Sequence, residues 1–476
     1  MGHNCLVIPE VLTRRIGGPL GTRAATGGLW RDPRVWTYMV AGVFWLVLIA
    51  RQLPCRMIDG HFPNPYLRVC YSDIWTLFLN RHMIESGGIY TSIDLEYPVV
   101  IGYFIMAMRA LTAPFASLGG AGSSTGQVAA SQIFFQWNAI FLFAAFMVLC
   151  WAHLRLGRPS RDESHRFSWD AMFIAASPVV LLNGLINWDL LVLVFTSLGL
   201  LAWSRSRPGW AGIWLGVGFA TKFYPLLVLV AITLLCIRAA KHRQAVVMWV
   251  AAVLTWGAVN APMMIISWSG WVYFWSFNAD RKADLGSLWY VISLMGFDVP
   301  GVSGIAFALM AFGGIGIAWL VIKAPRRPRV AQVGLLLVIV FLIFNKVYSP
   351  QFALWLLPLV VLARPKFTDV AVWSVGEVIY NFSVWGMLQG ALGIGTDGEI
   401  LYWLAIIFRV VIQVWVGLRV IDDMMRPWED PVRIPHTDDP HGGVLDHALD
   451  ADWVVILNER RRPARVSQLR GWRARR

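Results

Sequence analysis

Charged residues are scarce in this chain. Only 14% of its 476 residues are Asp, Glu, Lys or Arg, where a soluble domain carries about 25%. That excludes a cytosolic enzyme and a disordered scaffold. Cysteine is rare too: the five present have no metal-ligand spacing, and Cys55 and Cys70 share one loop, where they would pair if that loop is extracytoplasmic. The chain lacks the internal repeat common in transporters. The first apolar block begins too late for a signal peptide, and no small-residue cleavage site follows it, so residues 1–34 are expected to remain as a cytoplasmic N-terminal segment. Acidic residues are outnumbered, 28 against 41 Lys and Arg, for a formal charge of +13. The basic residues lie in short loops between apolar blocks, which is the positive-inside pattern and not a groove for phosphates. No nucleic-acid partner is expected.

What the chain has in quantity is apolar sequence. Hydrophobic residues make up 57% of it, with a mean hydropathy of +0.57, and the apolar blocks recur at lengths suited to helices crossing a bilayer of roughly 30 Å. The expected class is an all-α polytopic membrane protein in contact with membrane lipids. The 26 Trp residues suit membrane interfaces, and some could stack on sugar rings. Thirteen blocks occur, the first at 35–52 and the last at 400–420. Basic loops at 153–168, 205–207, 238–243, 323–329 and 364–366 fix an alternation with both termini cytoplasmic. Parity then requires one block not to span. The 98–115 block is short and carries Arg109, which is costly at mid-bilayer, so it is expected to be a juxtamembrane helix on the outer face. Twelve crossings remain, with a long outer loop at 53–97. The same arithmetic makes 209–238 a hairpin of two short helices whose tip, Thr221-Lys222-Phe223-Tyr224-Pro225, points outward. Lys222 would then lie below the outer surface at the floor of a cavity, a depth at which a charge is functional by default. Residues 421–476 show Pro427, Pro431, Pro435 and Pro440 without apolar periodicity and are expected to be a mostly disordered cytoplasmic tail with a short helix near 444–462. Its last 17 residues hold eight Arg and no acid, suited to an anionic leaflet.

Polar groups converge on the outer side in this topology. The first outer loop supplies Asp59, Asp73, Arg81, Glu85, Asp94 and Glu96. Helix ends and tips supply Asn183, Asn187, Asp189, Lys222 and Tyr224. The 267–300 loop supplies Asp280, Arg281, Lys282 and Asp284, and the end of the 330–346 block supplies Asn345, Lys346 and Tyr348. Asp59 and Glu85 read as solvated loop residues. A carboxylate can take a proton from a sugar hydroxyl as it attacks, while Lys and Arg can stabilise charge growing on a departing phosphate. An anion transporter would use a similar set.

Four segments taken in order, Cys70-Tyr71-Ser72-Asp73-Ile74, Glu96-Tyr97-Pro98, Asn187-Trp188-Asp189-Leu190 and Thr221-Lys222-Phe223-Tyr224-Pro225, resemble the GT-C fold of polyprenyl-phosphate-sugar-dependent glycosyltransferases. The motif order and short hairpin look most like actinobacterial glycosyltransferase family 87, which includes phosphatidylinositol-mannoside mannosyltransferases. Gly286-Ser287-Leu288-Trp289-Tyr290 and Asn345-Lys346-Val347-Tyr348-Ser349-Pro350-Gln351 look like a less characterised branch of it. The resemblance covers roughly residues 35–420. It implies inverting transfer of a sugar, mannose or arabinose in class, from a polyprenyl-phosphate donor to an envelope glycolipid or polysaccharide at the plasma membrane's outer face. It places the general base on Asp73, with Glu96 as helper, acceptor-positioning group or cation ligand. Lys222, Arg281 and Lys346 would hold the donor phosphate, and Tyr224, Trp188, Asp189 and Trp289 would line the sugar or acceptor site. No cofactor is required by this reading, although some GT-C enzymes use Mg²⁺ or Mn²⁺. A secondary transporter or lipid-linked-sugar flippase stays open through Glu377, Tyr380 and Asn381 on one helix, as does a non-catalytic relative.

Overall fold

The computed structural model describes residues 32–55, 64–84, 87–116, 124–158, 167–433 and 439–459. Residues 1–31, Asp59, Glu85, Arg161, Arg166 and the Arg-rich end from 460 lie outside them. The described chain is an all-α polytopic membrane protein. Its helices are α1 Pro33–Gln52, α2 Asp73–Asn80, α3 Val99–Ala116, α4 Ser124–Leu156, α5 Met172–Ala175, α6 Pro178–Asn183, α7 Asp189–Ser204, α8 Pro208–Phe219 and α9 Pro225–Arg238. There follow α10 His242–Ile266, α11 Trp268–Asp280, α12 Leu288–Leu294, α13 Val302–Lys323, α14 Val330–Phe344, α15 Ala353–Ala363, α16 Phe367–Leu388, α17 Glu399–Met425 and α18 Asp452–Glu459.

Five segments, Pro33–Cys55, Gly126–Leu156, His242–Ile266, Val302–Lys323 and Glu399–Met425, are each long and apolar enough to cross a membrane. Shorter apolar helices pack among them. At the centre, α15 is buried along its whole length and α14 along most of it, as expected of helices apolar all round. The long outer helices leave Leu254, Phe307, Phe312 and Ile315 exposed, the faces a bilayer would cover.

Local chemistry sets the breaks. Pro stands in the first turn of α1, α6, α8 and α9, where its missing N–H is not needed. The 169–187 block, expected as one helix, is divided: Ser177-Pro178 interrupts it, because the residue before Pro is driven out of helical geometry, and Gly184–Trp188 turns before α7. The 209–238 hairpin has arms of 12 and 14 residues. In the 267–300 loop, read as polar connection, α11 and α12 form; Ser267 and Ser287 cap their first turns.

Helix α3 packs against α4. Phe104 meets Phe141, and Phe115 at its end meets Trp137, at 6.4 and 6.5 Å. Arg109 donates to the Gly87 carbonyl at 2.7 Å, which places the middle of α3 beside the first long loop.

The C-terminal segment departs from expectation. Asp430, 1% exposed, accepts from Arg329 at 2.8 and 2.9 Å and from Gln332 at 3.1 Å. Asp439 accepts from the Val330 amide at 3.1 Å, and Asp450 pairs with Arg238 at 2.6 Å and Arg327 at 3.2 Å. Residues 426–433 and 439–459 are therefore packed against the bundle, where sequence suggested mostly disorder. The segment docks by ion pairs and backbone acceptors, which leave no apolar periodicity to read.

Candidate active site

Asp73 opens α2. Ser72 caps that helix from an extended conformation, accepting from the Ile74 amide and donating to the Leu185 carbonyl at 2.6 Å. The Asp73 amide donates to the Ile186 carbonyl at 2.7 Å. The turn before α7 thus fixes the start of α2. From the other side, a disulfide joins Cys55 to Cys70, with Cα atoms 5.9 Å apart. The Asp73 carboxylate accepts from the Tyr71 hydroxyl at one oxygen and the Tyr97 hydroxyl at the other, both at 2.8 Å. Burial holds this carboxyl above the ordinary carboxylate range, and Glu96 adds to the rise. The two tyrosine hydrogen bonds and the Lys222 charge pull against it. Burial and the Asp73 charge push the Tyr71 and Tyr97 phenols up, so both remain donors.

Lys222 reaches the same tyrosine from the hairpin tip. Its ammonium lies 4.5 Å from the Tyr97 ring centroid and 3.1 Å from Asp189, a cation–π contact beside an ion pair. Asp189 is fully buried at the start of α7, and its second oxygen accepts from Trp355 Nε1 at 3.0 Å. Asp73 and Lys222 therefore flank Tyr97, one at its hydroxyl and one at its ring.

Beside this array is a cavity of about 280 Å³. Glu96, Lys222, Arg281 and Lys346, all singled out in the sequence, line it together. Phe223, Phe274, Trp275 and Phe352 supply an apolar side. Glu96 pairs with Arg81 at 3.1 Å and Arg281 with Asp284 at 2.6 Å, both partly exposed. The Lys346 ammonium donates to the Asn278 and Ala279 carbonyls at 3.2 and 2.9 Å and to Ser303 Oγ at 2.9 Å. It thereby closes the negative end of α11. Burial holds it below the ordinary lysine range.

Other expected residues do not reach the cavity. Trp188 is fully buried, donates to Asn138 Oδ1 at 2.6 Å and abuts Tyr97 edge-on at 5.2 Å, so it backs Tyr97 and cannot meet a sugar. Tyr224 is fully buried and stacks on Trp355 at 5.3 Å. Asp189 is spent on Lys222 and Trp355. Trp289 donates to the Phe344 carbonyl at 2.9 Å, fastening α12 to the end of α14. Asp73 itself stands behind Tyr97, off the cavity wall. Sequence reasoning assigned no role to Tyr97 or Trp355; Tyr97 stood in the Glu96-Tyr97-Pro98 motif, while nothing local marked Trp355. Among the described residues no group of three or more His, Cys, Asp or Glu side chains is gathered to hold a metal.

A family model, glycosyltransferase family 87, matches residues 105–344. The stretch spans the hairpin tip and Arg281, begins after Asp73 and Glu96, and ends just before Lys346. No curated protein matches the chain.

Proposed function

The chain belongs to glycosyltransferase family 87 and is a membrane glycosyltransferase; from that premise we propose that it moves a sugar of the mannose or arabinose class from a polyprenyl-phosphate donor to an envelope glycolipid or polysaccharide, with inversion. The end of the bundle bearing Asp73 faces away from the cytosol, and both termini lie inside, at the plasma membrane. The observation that carries this reading is the cavity where Lys222, Arg281 and Lys346 meet, with Asp73 joined to Lys222 through Tyr97.

In the reaction, an acceptor hydroxyl oxygen bonds to the anomeric carbon. The bond from that carbon to the phosphate oxygen breaks, and its electron pair leaves with polyprenyl phosphate. The hydroxyl proton goes to Asp73, whose raised affinity for protons suits a base. Lys222 and Arg281 meet the charge growing on the phosphate. Lys346 has its donors engaged by α11 and acts mainly as fixed positive charge. Glu96 lies at the rim to position the acceptor. Tyr97 lies between Asp73 and the cavity, and the acceptor hydroxyl meets the carboxylate past its ring, with no proton routed through the Tyr97 hydroxyl. A resident metal is not needed for these steps.

The test is reconstitution in vesicles with labelled polyprenyl-phosphate mannose and arabinose and extracted envelope lipids, paired with glycolipid profiles of a deletion strain. One labelled product, matching one species missing from the strain, is expected. Transfer from a nucleotide sugar instead, or an unchanged profile, would refute the donor and acceptor assignments.

A further inference from the structure

Behind the cavity wall lies a buried polar cluster that the reaction does not use. Glu377 on α16 accepts from Arg409 at 2.7 Å and from Gln413 at 2.6 Å, both on α17. All three are at most 3% exposed. Arg409 also donates to the Tyr348 carbonyl at 2.9 Å, and its guanidinium lies 3.5 Å from the Tyr348 ring centroid and 4.2 Å from that of Tyr380. Gln413 donates to the Tyr348 hydroxyl. Apart from Trp373 beside Glu377, the cluster's polar and ring contacts beyond itself thus converge on Tyr348 and Tyr380.

Tyr348 belongs to a small backbone register. Its amide donates to the Leu285 carbonyl at 3.0 Å, and the Asp284 amide to the Lys346 carbonyl at 2.9 Å. Gly286 closes the register at φ +77°; a Cβ there would fall 2.1 Å from the Tyr380 hydroxyl and 2.2 Å from the Tyr348 carbonyl, and its amide donates to the Tyr402 hydroxyl at 3.2 Å. Arg281 and Asp284 lie at one end of this register, and Lys346, Ser349 and Gln351 along the other strand of it. Four of these five line the cavity.

We propose that Glu377, Arg409 and Gln413 are positioning residues: a pillar that holds segments 284–286 and 346–348 in register and so sets how tightly the cavity binds the anionic donor. This rests on the donor reading above. A buried ion pair is a poor source of stability compared with apolar residues of the same volume; here the pair fixes one carbonyl and one ring. A flippase reading of Glu377 has no support in this arrangement, since its charge is met by Arg409 at closest range.

The test compares the wild-type protein with Glu377→Leu/Arg409→Met, which removes both charges and leaves neither orphaned. Hydrogen exchange at the Asp284 and Tyr348 amides should speed up at least about tenfold while α14 stays protected. The donor KM should rise about fivefold or more, with kcat within about threefold. Should the double variant fail to fold, Tyr348→Phe, which removes only the Gln413 contact, gives the same readouts in smaller measure. Exchange at the wild-type rate, or a wild-type donor KM despite faster exchange, overturns the pillar. A wild-type protein that ignores polyprenyl-phosphate donors defeats the functional reading instead, and the exchange rates still judge the pillar.

Discussion

The two ends of the bundle use the same charged residue types in opposite ways. Helices α9 and α14 connect them: α9 runs from Pro225 beside Lys222 to Arg238, and α14 from the residue after Arg329 to the residue before Asn345. At the C-terminal-segment end, charges are closed on each other. Arg329 and Asp430 are 0% and 1% exposed, and Arg364 is shared by Asp369 and Asp423. Burial raises the proton affinity of Asp430, but the charge and hydrogen bonds of Arg329 outweigh it and hold the carboxyl below its usual range. At the cavity end, the Glu96, Arg281 and Asp284 side chains are 22%, 34% and 37% exposed. There the effect of burial on Asp73 is not outweighed, and its proton affinity is raised. One end is neutralised for packing; the other holds charge available for a ligand.

Asp73→Asn should break the comparison most sharply. It keeps the shape and the acceptor for one tyrosine but cannot take a proton, so sugar transfer should fall about 10²–10⁴-fold with membrane expression and thermal unfolding unchanged. Transfer near the wild-type rate would move the base elsewhere, with Glu96 next in line.

Asp430→Ala should do the reverse, with its effect on folding. It leaves Arg329 buried and uncompensated, a cost of about 3–5 kcal/mol, read as a lower unfolding temperature in detergent. Cutting the chain after Arg426 removes Asp430, Asp439 and Asp450 together and should be worse still. Because the Asp430 carboxyl titrates below its unfolded value, its contribution is complete above about pH 4 and is lost as pH falls through the lower folded value. A truncated protein as heat-stable as the full chain would show that these pairs contribute nothing.

Lys222 lies on the boundary between the two behaviours. Its partner Asp189 is fully buried, so Lys222→Ala costs folding as well as donor use, by about 3–5 kcal/mol for the orphaned carboxylate. Lys222→Ala with Asp189→Asn removes the orphan; stability should return and donor affinity should not. Recovery of both would reduce Lys222 to a structural partner of Asp189.

Much of the bundle was legible because it is written in local pattern. Apolar blocks gave the helices, and the short arms around Lys222 the hairpin. The cations of the cavity were legible for a related reason: a Lys at an apolar helix end is conspicuous. What was hidden depends on distant partners. Nothing near Arg329 announces Asp430, 101 residues away. Trp188 and Tyr224 look identical in sequence whether they face a sugar or a buried neighbour. Tyr97 was hidden because an uncharged phenol gives no signal in sequence, and its two partners, Asp73 and Lys222, come from distant segments.

That placement gives the smallest effect and the finest division between the ends. Tyr97→Phe keeps the ring under Lys222 and removes only the hydroxyl donated to Asp73. That hydrogen bond is among the forces lowering the Asp73 proton affinity, so its loss raises the carboxyl further. The base works deprotonated, so activity falls as pH drops through its pKa. The acid limb of kcat/KM should therefore shift to higher pH in Tyr97→Phe, with a loss of under about tenfold at the optimum. The unfolding temperature should hardly move, because Asp73 keeps the Tyr71 hydrogen bond and no ion pair is broken. If the acid limb shifts to lower pH or stays where it is, Asp73 is not the group whose titration limits the reaction.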